Sequence, residues 1–191
     1  MFKAVLTVVC LSICSIAGAE TAIFAGGCFW CMQSDFDKLP GVTKTEAGYD
    51  GGKVKKPTYE LVSTGKSGYS EAVKVTYNPK IVSYSQLLEY YWHHIDPVNP
   101  NGQFCDIGEE YQSKIFYLTP EQKQEAQTSL VKVKQLLGSA VYTAIVPSTN
   151  FTKAEEYHQD YYKKNPVKYE FYRWNCGRDK RVREVWQHAA N

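Results

Sequence analysis

Cys28 and Cys31 stand three residues apart in Gly26-Gly27-Cys28-Phe29-Trp30-Cys31, with two large aromatics between them. Thiols need access to a reaction partner, while Phe29 and Trp30 need burial. A site that holds an apolar group and carries out thiol chemistry on it satisfies both. The glycines close a short apolar run and the spacing after them is helical, so Cys28 falls at a helix N-terminus. Unpaired N–H groups and the helix dipole favour an anion there. The thiolate is the nucleophile, so this placement is expected to ease activation of Cys28. Cys31 faces Cys28 across the first turn, where a transient disulfide is geometrically reasonable.

A nucleophilic cysteine also needs acid–base help and substrate positioning. Glu71, Asp106, Tyr59 and Tyr111 offer carboxylates and phenols, though each alone reads as an ordinary surface or core residue. Two rival readings of the CxxC are disfavoured. Zinc would need two more ligands. Cys105 and Cys176 form no second CxxC, and the adjacent His93 and His94 point away from one another, so no metal is expected. A thioredoxin-like oxidoreductase carries its CxxC after a βαβ segment, whereas only Glu20 to Gly27 would precede Cys28 in the mature chain.

That mature chain begins after a leader. Met1-Phe2-Lys3 is a short basic start, Ala4 to Ile16 is an apolar run, and Ala17-Gly18-Ala19 supplies the small residues of a cleavage site. Residues 1–19 are expected to be a signal peptide, with cleavage before Glu20 and a secreted or periplasmic product. The run is too short for a spanning helix. Leu11-Ser12-Ile13-Cys14 is a poor lipobox, and an uncleaved anchor is the remaining rival. Cys10 and Cys14 leave with the leader, so Cys28, Cys31, Cys105 and Cys176 remain. Two structural disulfides are the plain alternative for an exported chain. A domain of this size does not need such staples to fold.

The elements that must position these groups follow from composition and pattern. The chain has 191 residues, 43% apolar and 22% charged, enough for one domain with a substantial core. A net charge of +2 gives no nucleic-acid surface. Fifteen tyrosines could be packing or could line a pocket that needs phenolic donors. Strands are predicted at 21–25, 42–49, 70–77, 114–118 and 141–146, with Val73, Val75 and Tyr77 on one face. Helices are predicted at 29–39, from Ser83 through a capping box with Gln86, and from Thr119-Pro120 to Gly138. Residues 96–112 form a long polar loop of the kind that is often functional. Thr152 with Glu155 is expected to cap a helix to Lys164 that Pro166 stops, followed by an extended stretch at 169–174 and a last helix at 178–188. This pattern is a single α+β domain in two layers.

The matches extend far beyond the CxxC. Gly27-Cys28-Phe29-Trp30 is followed in order by Gly48-Tyr49 with Gly51-Gly52, and by Pro57-Thr58-Tyr59-Glu60. Next come Gly68-Tyr69-Ser70-Glu71, Asp96-Pro97, Gln103-Phe104-Cys105-Asp106-Ile107-Gly108 with Tyr111-Gln112-Ser113, and Ala154-Glu155-Glu156-Tyr157-His158-Gln159. Across 21–186 the chain resembles the peptide methionine sulfoxide reductase A family. The resemblance implies a two-layer α/β sandwich with a ferredoxin-like core, an α/β roll, and a long irregular C-terminal region, with 20–191 as one catalytic domain. It implies reduction of the S epimer of methionine sulfoxide, free or in proteins, by a monomer that needs no metal, flavin or other cofactor.

Residue by residue, Cys28 matches the nucleophile that attacks sulfur and becomes a sulfenic acid. Glu71 matches the acid, Tyr59 and Tyr111 the phenols that hydrogen-bond the oxygen, and Asp106 the polar side of the pocket. Phe29 and Trp30 match the apolar wall around the S-methyl group. A second thiol must then form a disulfide. Cys31 is the first choice for proximity, Cys176 the alternative, and Cys105 lies beside the inferred pocket. Thioredoxin or a similar reductant would recycle the enzyme. Ser70 and Gln112 depart from the commonest family residues. A secreted, disulfide-stapled binding domain without turnover is the alternative from another class.

Overall fold

Period-2 patterning on one strand determines where the helices sit. On β3 (Ser70–Tyr77), Glu71, Val73, Val75 and Tyr77 share one face, and the last three are completely buried. β1 (Glu20–Ala25) pairs antiparallel with β3, so Ala22 lies opposite Val75 and Phe24 opposite Val73. β2 (Val42–Asp50) flanks β3 on its other side, also antiparallel, with Tyr49 opposite Glu71. α1 (Phe29–Phe36) connects β1 to β2, and α3 (Tyr84–Trp92) packs in the same layer. Phe24 stacks on Phe36 and Tyr91 at 5.1 and 5.0 Å between ring centroids. Truncating so central a ring costs about 3–5 kcal/mol.

The computed structural model describes residues 18–187. The expected leader at 1–19, with Cys10 and Cys14, lies outside them apart from Gly18 and Ala19. β6 (Lys114–Tyr117) pairs antiparallel with the outer side of β1. The resulting order β6-β1-β3-β2 is the split βαββαβ arrangement of a ferredoxin-like core. β7 (Ala144–Pro147) adds in parallel beside β6, and β8 (Thr152–Lys153) adds antiparallel beside β2, completing a six-stranded sheet. α4 (Pro120–Leu137) starts at the Thr119 cap, with Pro120 at its first position, and ends at Gly138 in the left-handed region. Ser83 and Gln86 form the capping box of α3. The opposite sheet face carries a smaller apolar group of Ile23, Ala25, Ala72 and Phe116, against which Val146 and Phe151 pack.

Two connections reach the site. α2 (Tyr59–Val62) is a single turn capped by Thr58. The 96–112 loop contains a two-stranded ribbon, β4 (Gly102–Gln103) and β5 (Asp106–Ile107), and a 3-10 turn at Glu109–Tyr111. Gln103 is fully buried and anchors the loop: its amide donates to the Asp96 and Gly102 carbonyls and accepts from the Asp96 N–H.

The C-terminal third differs from the sequence reading. Thr152 pairs in β8 instead of capping a helix, and residues 156–160 run as turns before the short α5 (Tyr161–Lys164). Glu155 turns inward, accepting from the Tyr49 hydroxyl at 2.7 Å and the Tyr59 N–H at 2.9 Å, so it is not available as a cap partner. Pro166 opens α6 (Pro166–Asn175) at its first position, where its missing N–H costs nothing. The stretch expected to be extended at 169–174 is therefore helical. Tyr169, Tyr172 and Arg173 recur at helical spacing and turn inward, and this packing overrides the strand propensity of an aromatic run. α7 (Arg178–Gln187) follows as expected. The region anticipated as irregular is mostly three helices.

Candidate active site

The site is assembled where β1 meets α1. Gly27 adopts φ +80°, and a Cβ there would lie 2.6 Å from Gln103 Cβ, so only glycine lets the chain turn against the anchored loop. Cys28 is the N-cap of α1 and is only 6% exposed; its carbonyl accepts from the Cys31 and Met32 N–H groups. Glu71, on the helix-facing side of β3, reaches the same helix start, where its Oε2 accepts from the Phe29 N–H at 2.9 Å. Asp106 faces the Cys28 backbone N–H, which helps to hold its carboxyl down, and accepts through Oδ2 from the Tyr172 hydroxyl at 2.5 Å. Glu71 therefore occupies, and Asp106 faces, the free N–H groups at the head of α1.

This geometry reverses the expectation for Cys28. Burial pushes its thiol well above the ordinary value, and the neighbouring Cys31, Glu71 and Asp106 push it further. The helix-start N–H groups that were to stabilise a thiolate face carboxyl oxygens instead. Cys31 is lowered, chiefly because the Cys28 thiol donates a hydrogen bond to it, with help from the Arg178 and Arg173 guanidinium groups. Cys31 is thus the more readily ionised member of the pair.

Burial drives Glu71 up to about 8; the Phe29 N–H opposes this, and the charges of Asp106, Glu110 and Cys31 add to it. At neutral pH it rests mainly as the neutral acid. Asp106 is raised by burial and restrained by the Tyr172 hydroxyl, Arg178 and the Cys28 N–H. Burial also raises Tyr59 and Tyr111, and the charges of Glu71, Cys28 and Asp106 act on both. The structure therefore brings together Cys28, Cys31, Glu71, Asp106, Tyr59 and Tyr111. Both phenols stay protonated and can donate.

Phe29 and Trp30 form an aromatic wall with partners the sequence did not point to. Trp30 stacks on Tyr161 at 3.8 Å with only 10° between planes, and its indole N–H donates to His158 Nδ1 at 3.1 Å. His158 lies 4.9 Å from Phe29 and 4.5 Å from Tyr59 between ring centroids. Burial lowers its pKa, so it rests neutral. The other unanticipated groups are Tyr172, Glu155 and Arg178. Arg178 is 2% exposed, and its guanidinium donates to the Gly26 and His94 carbonyls at 3.2 and 2.8 Å. Only Glu155 and His158 lay inside a quoted motif; Tyr172 and Arg178 had no signal beyond a tyrosine- and arginine-rich tail.

The remaining cysteines pair with each other. Cys105 and Cys176 form a disulfide with 4.9 Å between their Cα atoms, while Cys28 and Cys31 are free and buried. Cys105, Asp106 and Cys176 place potential ligand atoms within 4.8 Å of one another. With the two sulfurs bonded together, the trio offers no thiolate to a metal.

Comparison with known proteins agrees with this geometry. Residues 20–190 match the family described as peptide methionine sulfoxide reductase. A peptide methionine sulfoxide reductase MsrA 2 of Caulobacter vibrioides is 48% identical over 168 residues, covering 87% of this chain and 85% of the relative. The structure of methionine sulfoxide reductase A of Corynebacterium diphtheriae superposes with a TM-score of 0.76 at 30% identity, covering 80% of this chain and 78% of that one. Mxr1 of Saccharomyces cerevisiae, solved in complex with Trx2, shares the fold with a TM-score of 0.56 at 21% identity, covering 77% and 87% of the two chains. The chain belongs to the peptide methionine sulfoxide reductase family and is an oxidoreductase.

Proposed function

We propose that this enzyme reduces the S epimer of methionine sulfoxide, free and in proteins, with Cys28 as nucleophile and Glu71 as proton donor. The observation that carries this reading is the Glu71 carboxyl, buried, held against the N–H of the residue after Cys28, and pushed up to about 8. A sulfoxide oxygen leaves sulfur only when it is protonated, and a buried acid that is neutral at pH 7 can supply that proton. Tyr59 and Tyr111 donate hydrogen bonds to the oxygen, and Phe29 and Trp30 enclose the S-methyl group. Attack by the Cys28 sulfur breaks the S–O bond; methionine departs, the oxygen ends as the hydroxyl of a Cys28 sulfenic acid, and the proton of the Cys28 thiol passes to Glu71 and restores the acid.

Cys31 then attacks the sulfenic sulfur, expelling water and forming a Cys28–Cys31 disulfide. The two electrons that reduced the sulfoxide come from these two thiols. The hydrogen bond between them supports Cys31 as the resolver, as does the engagement of Cys176 with Cys105. A thioredoxin-like dithiol reopens the disulfide, a reading supported by the yeast relative captured with Trx2. The apolar leader read from the sequence supports export, and an oxidising compartment would require an exported or membrane-fed reductant. The test is an assay of each sulfoxide epimer with dithiothreitol. Consumption of the S epimer alone is the expected result; consumption of neither overturns the reading.

A further inference from the structure

We propose that the Cys105–Cys176 disulfide is a positioning clamp for the Asp106–Tyr172 pair, and so sets the rate of attack at Cys28. This inference rests on Cys28 being the nucleophile. Cys105 immediately precedes Asp106, while Cys176 lies one helical turn after Tyr172 and donates its N–H to the Tyr172 carbonyl at 2.9 Å. The disulfide and the Tyr172–Asp106 hydrogen bond therefore span the same gap in parallel, from the 96–112 loop to α6. Asp106 in turn faces the Cys28 N–H, which helps to hold its carboxyl down. A single line of contacts runs from the covalent bridge through Tyr172 and Asp106 to the nucleophile's own backbone.

At Cys105 itself the loop is loosely held, although Gln103 anchors it two residues earlier. β5 is two residues long, Cys105 is exposed, and Phe104 before it sits at φ +57°, in the left-handed region. The bridge joins positions 71 residues apart in sequence, so without it α6 and the loop are tied only through side chains. Groups held by covalent and packing constraints lose less freedom when they reach a reactive geometry. The clamp takes no part in electron flow, since Cys28 and Cys31 supply both electrons of each cycle. It opens only if an external dithiol reduces it, giving two thiols and the oxidised dithiol, and the exposed Cys105 is where such a reductant would attack.

Single-turnover methionine release on the full chain separates this role from resolution, because resolution follows release. The Cys105→Ser/Cys176→Ser variant should release one equivalent per enzyme at a rate reduced about tenfold, the loss expected when positioning is relaxed. Tyr172→Phe, which keeps the bridge and removes one oxygen, should slow release similarly. The triple variant should be no slower than Tyr172→Phe, because the clamp acts through that hydroxyl. A normal first-turnover rate in Tyr172→Phe or in the double variant overturns the proposal, as does additive slowing in the triple variant. So does a normal first turnover followed by arrest, which would make Cys176 the resolver. Should the double variant fail to fold, the Tyr172→Phe rate decides alone. Wild-type enzyme that releases no methionine overturns the underlying functional reading, and the clamp with it.

Discussion

The two cysteine pairs among the described residues sit in opposite surroundings. Cys28 and Cys31 are buried at a helix start, free, and hydrogen-bonded to each other. Cys105 and Cys176 bridge an exposed loop to the end of α6. Each pair has its own carboxyl group. Burial raises both: Glu71 beside the first is pushed up to about 8, and Asp106 beside the second is raised but held back by the Tyr172 hydroxyl and Arg178. Spacing alone does not separate a reactive pair from a bridging one. What separates them is whether the sulfurs are buried beside an acid or tie two segments across a seam.

The comparison breaks most completely at Cys28. Cys28→Ser should release no methionine from either sulfoxide epimer, because Glu71 is held beside Cys28, against the N–H of the next residue. Any measurable single-turnover release, followed by chromatography of methionine, would move the nucleophile elsewhere. Cys31→Ser is the next largest effect. Its first equivalent should appear at a normal rate, since attack precedes resolution, and thioredoxin-supported turnover should then stop. Mass spectrometry of the wild-type enzyme after one turnover should find a Cys28–Cys31 disulfide beside an unchanged Cys105–Cys176 bridge. A Cys28–Cys176 linkage would erase the distinction between the pairs.

Glu71→Gln tests the acid that accompanies the reactive pair. The amide can still accept from the Phe29 N–H but has no proton to give at neutral pH. Single-turnover release should slow by roughly a hundred- to ten-thousand-fold, with sulfoxide binding retained. In wild type the same step should lose about tenfold per pH unit above about 8, as Glu71 ionises. A flat profile to pH 10 would assign the proton to Tyr59 or Tyr111.

The sequence made one of these pairs legible and left the other half-hidden. The CxxC after two glycines placed Cys28 and Cys31 at a helix start, because turn chemistry and helical spacing are local signals. Likewise the alternation of Val73, Val75 and Tyr77 determined which face of β3 Glu71 shares. The meeting of Cys105 with Cys176 is not local, for it depends on α6 folding back over the 96–112 loop. The aromatic run that forms α6 looked like a strand, so Tyr172 could not be placed against Asp106. Glu155 was misread for a related reason. An acidic residue three after a threonine looks like a capping box, but the partners that claimed it, Tyr49 and Tyr59, are remote in sequence. The activation of Cys28 was misjudged because helix-start N–H groups favour any anion, and Glu71 and Asp106 reached them first.

The smallest effect is on stability, and its sign follows from the burial of Glu71. An unfolded glutamate ionises near 4.5, while the folded one holds its proton to about 8. Between those values the folded chain carries a proton that the unfolded chain has released. Stability must therefore fall as pH rises through this window, by up to about 1.4 kcal/mol per unit, and level off above the folded value. Glu71→Gln removes the titrating group while keeping an acceptor for the Phe29 N–H. Its melting temperature should be close to wild type at pH 5 and higher by roughly ten degrees at pH 8.5, since the window is worth about 4 kcal/mol and each kcal/mol shifts a domain of this size by roughly 2–4 °C. The divergence of the two melting curves with pH distinguishes this from a simple gain in packing, which would offset them equally at every pH. Parallel curves would mean that Glu71 ionises in the folded protein much as it does in the unfolded chain.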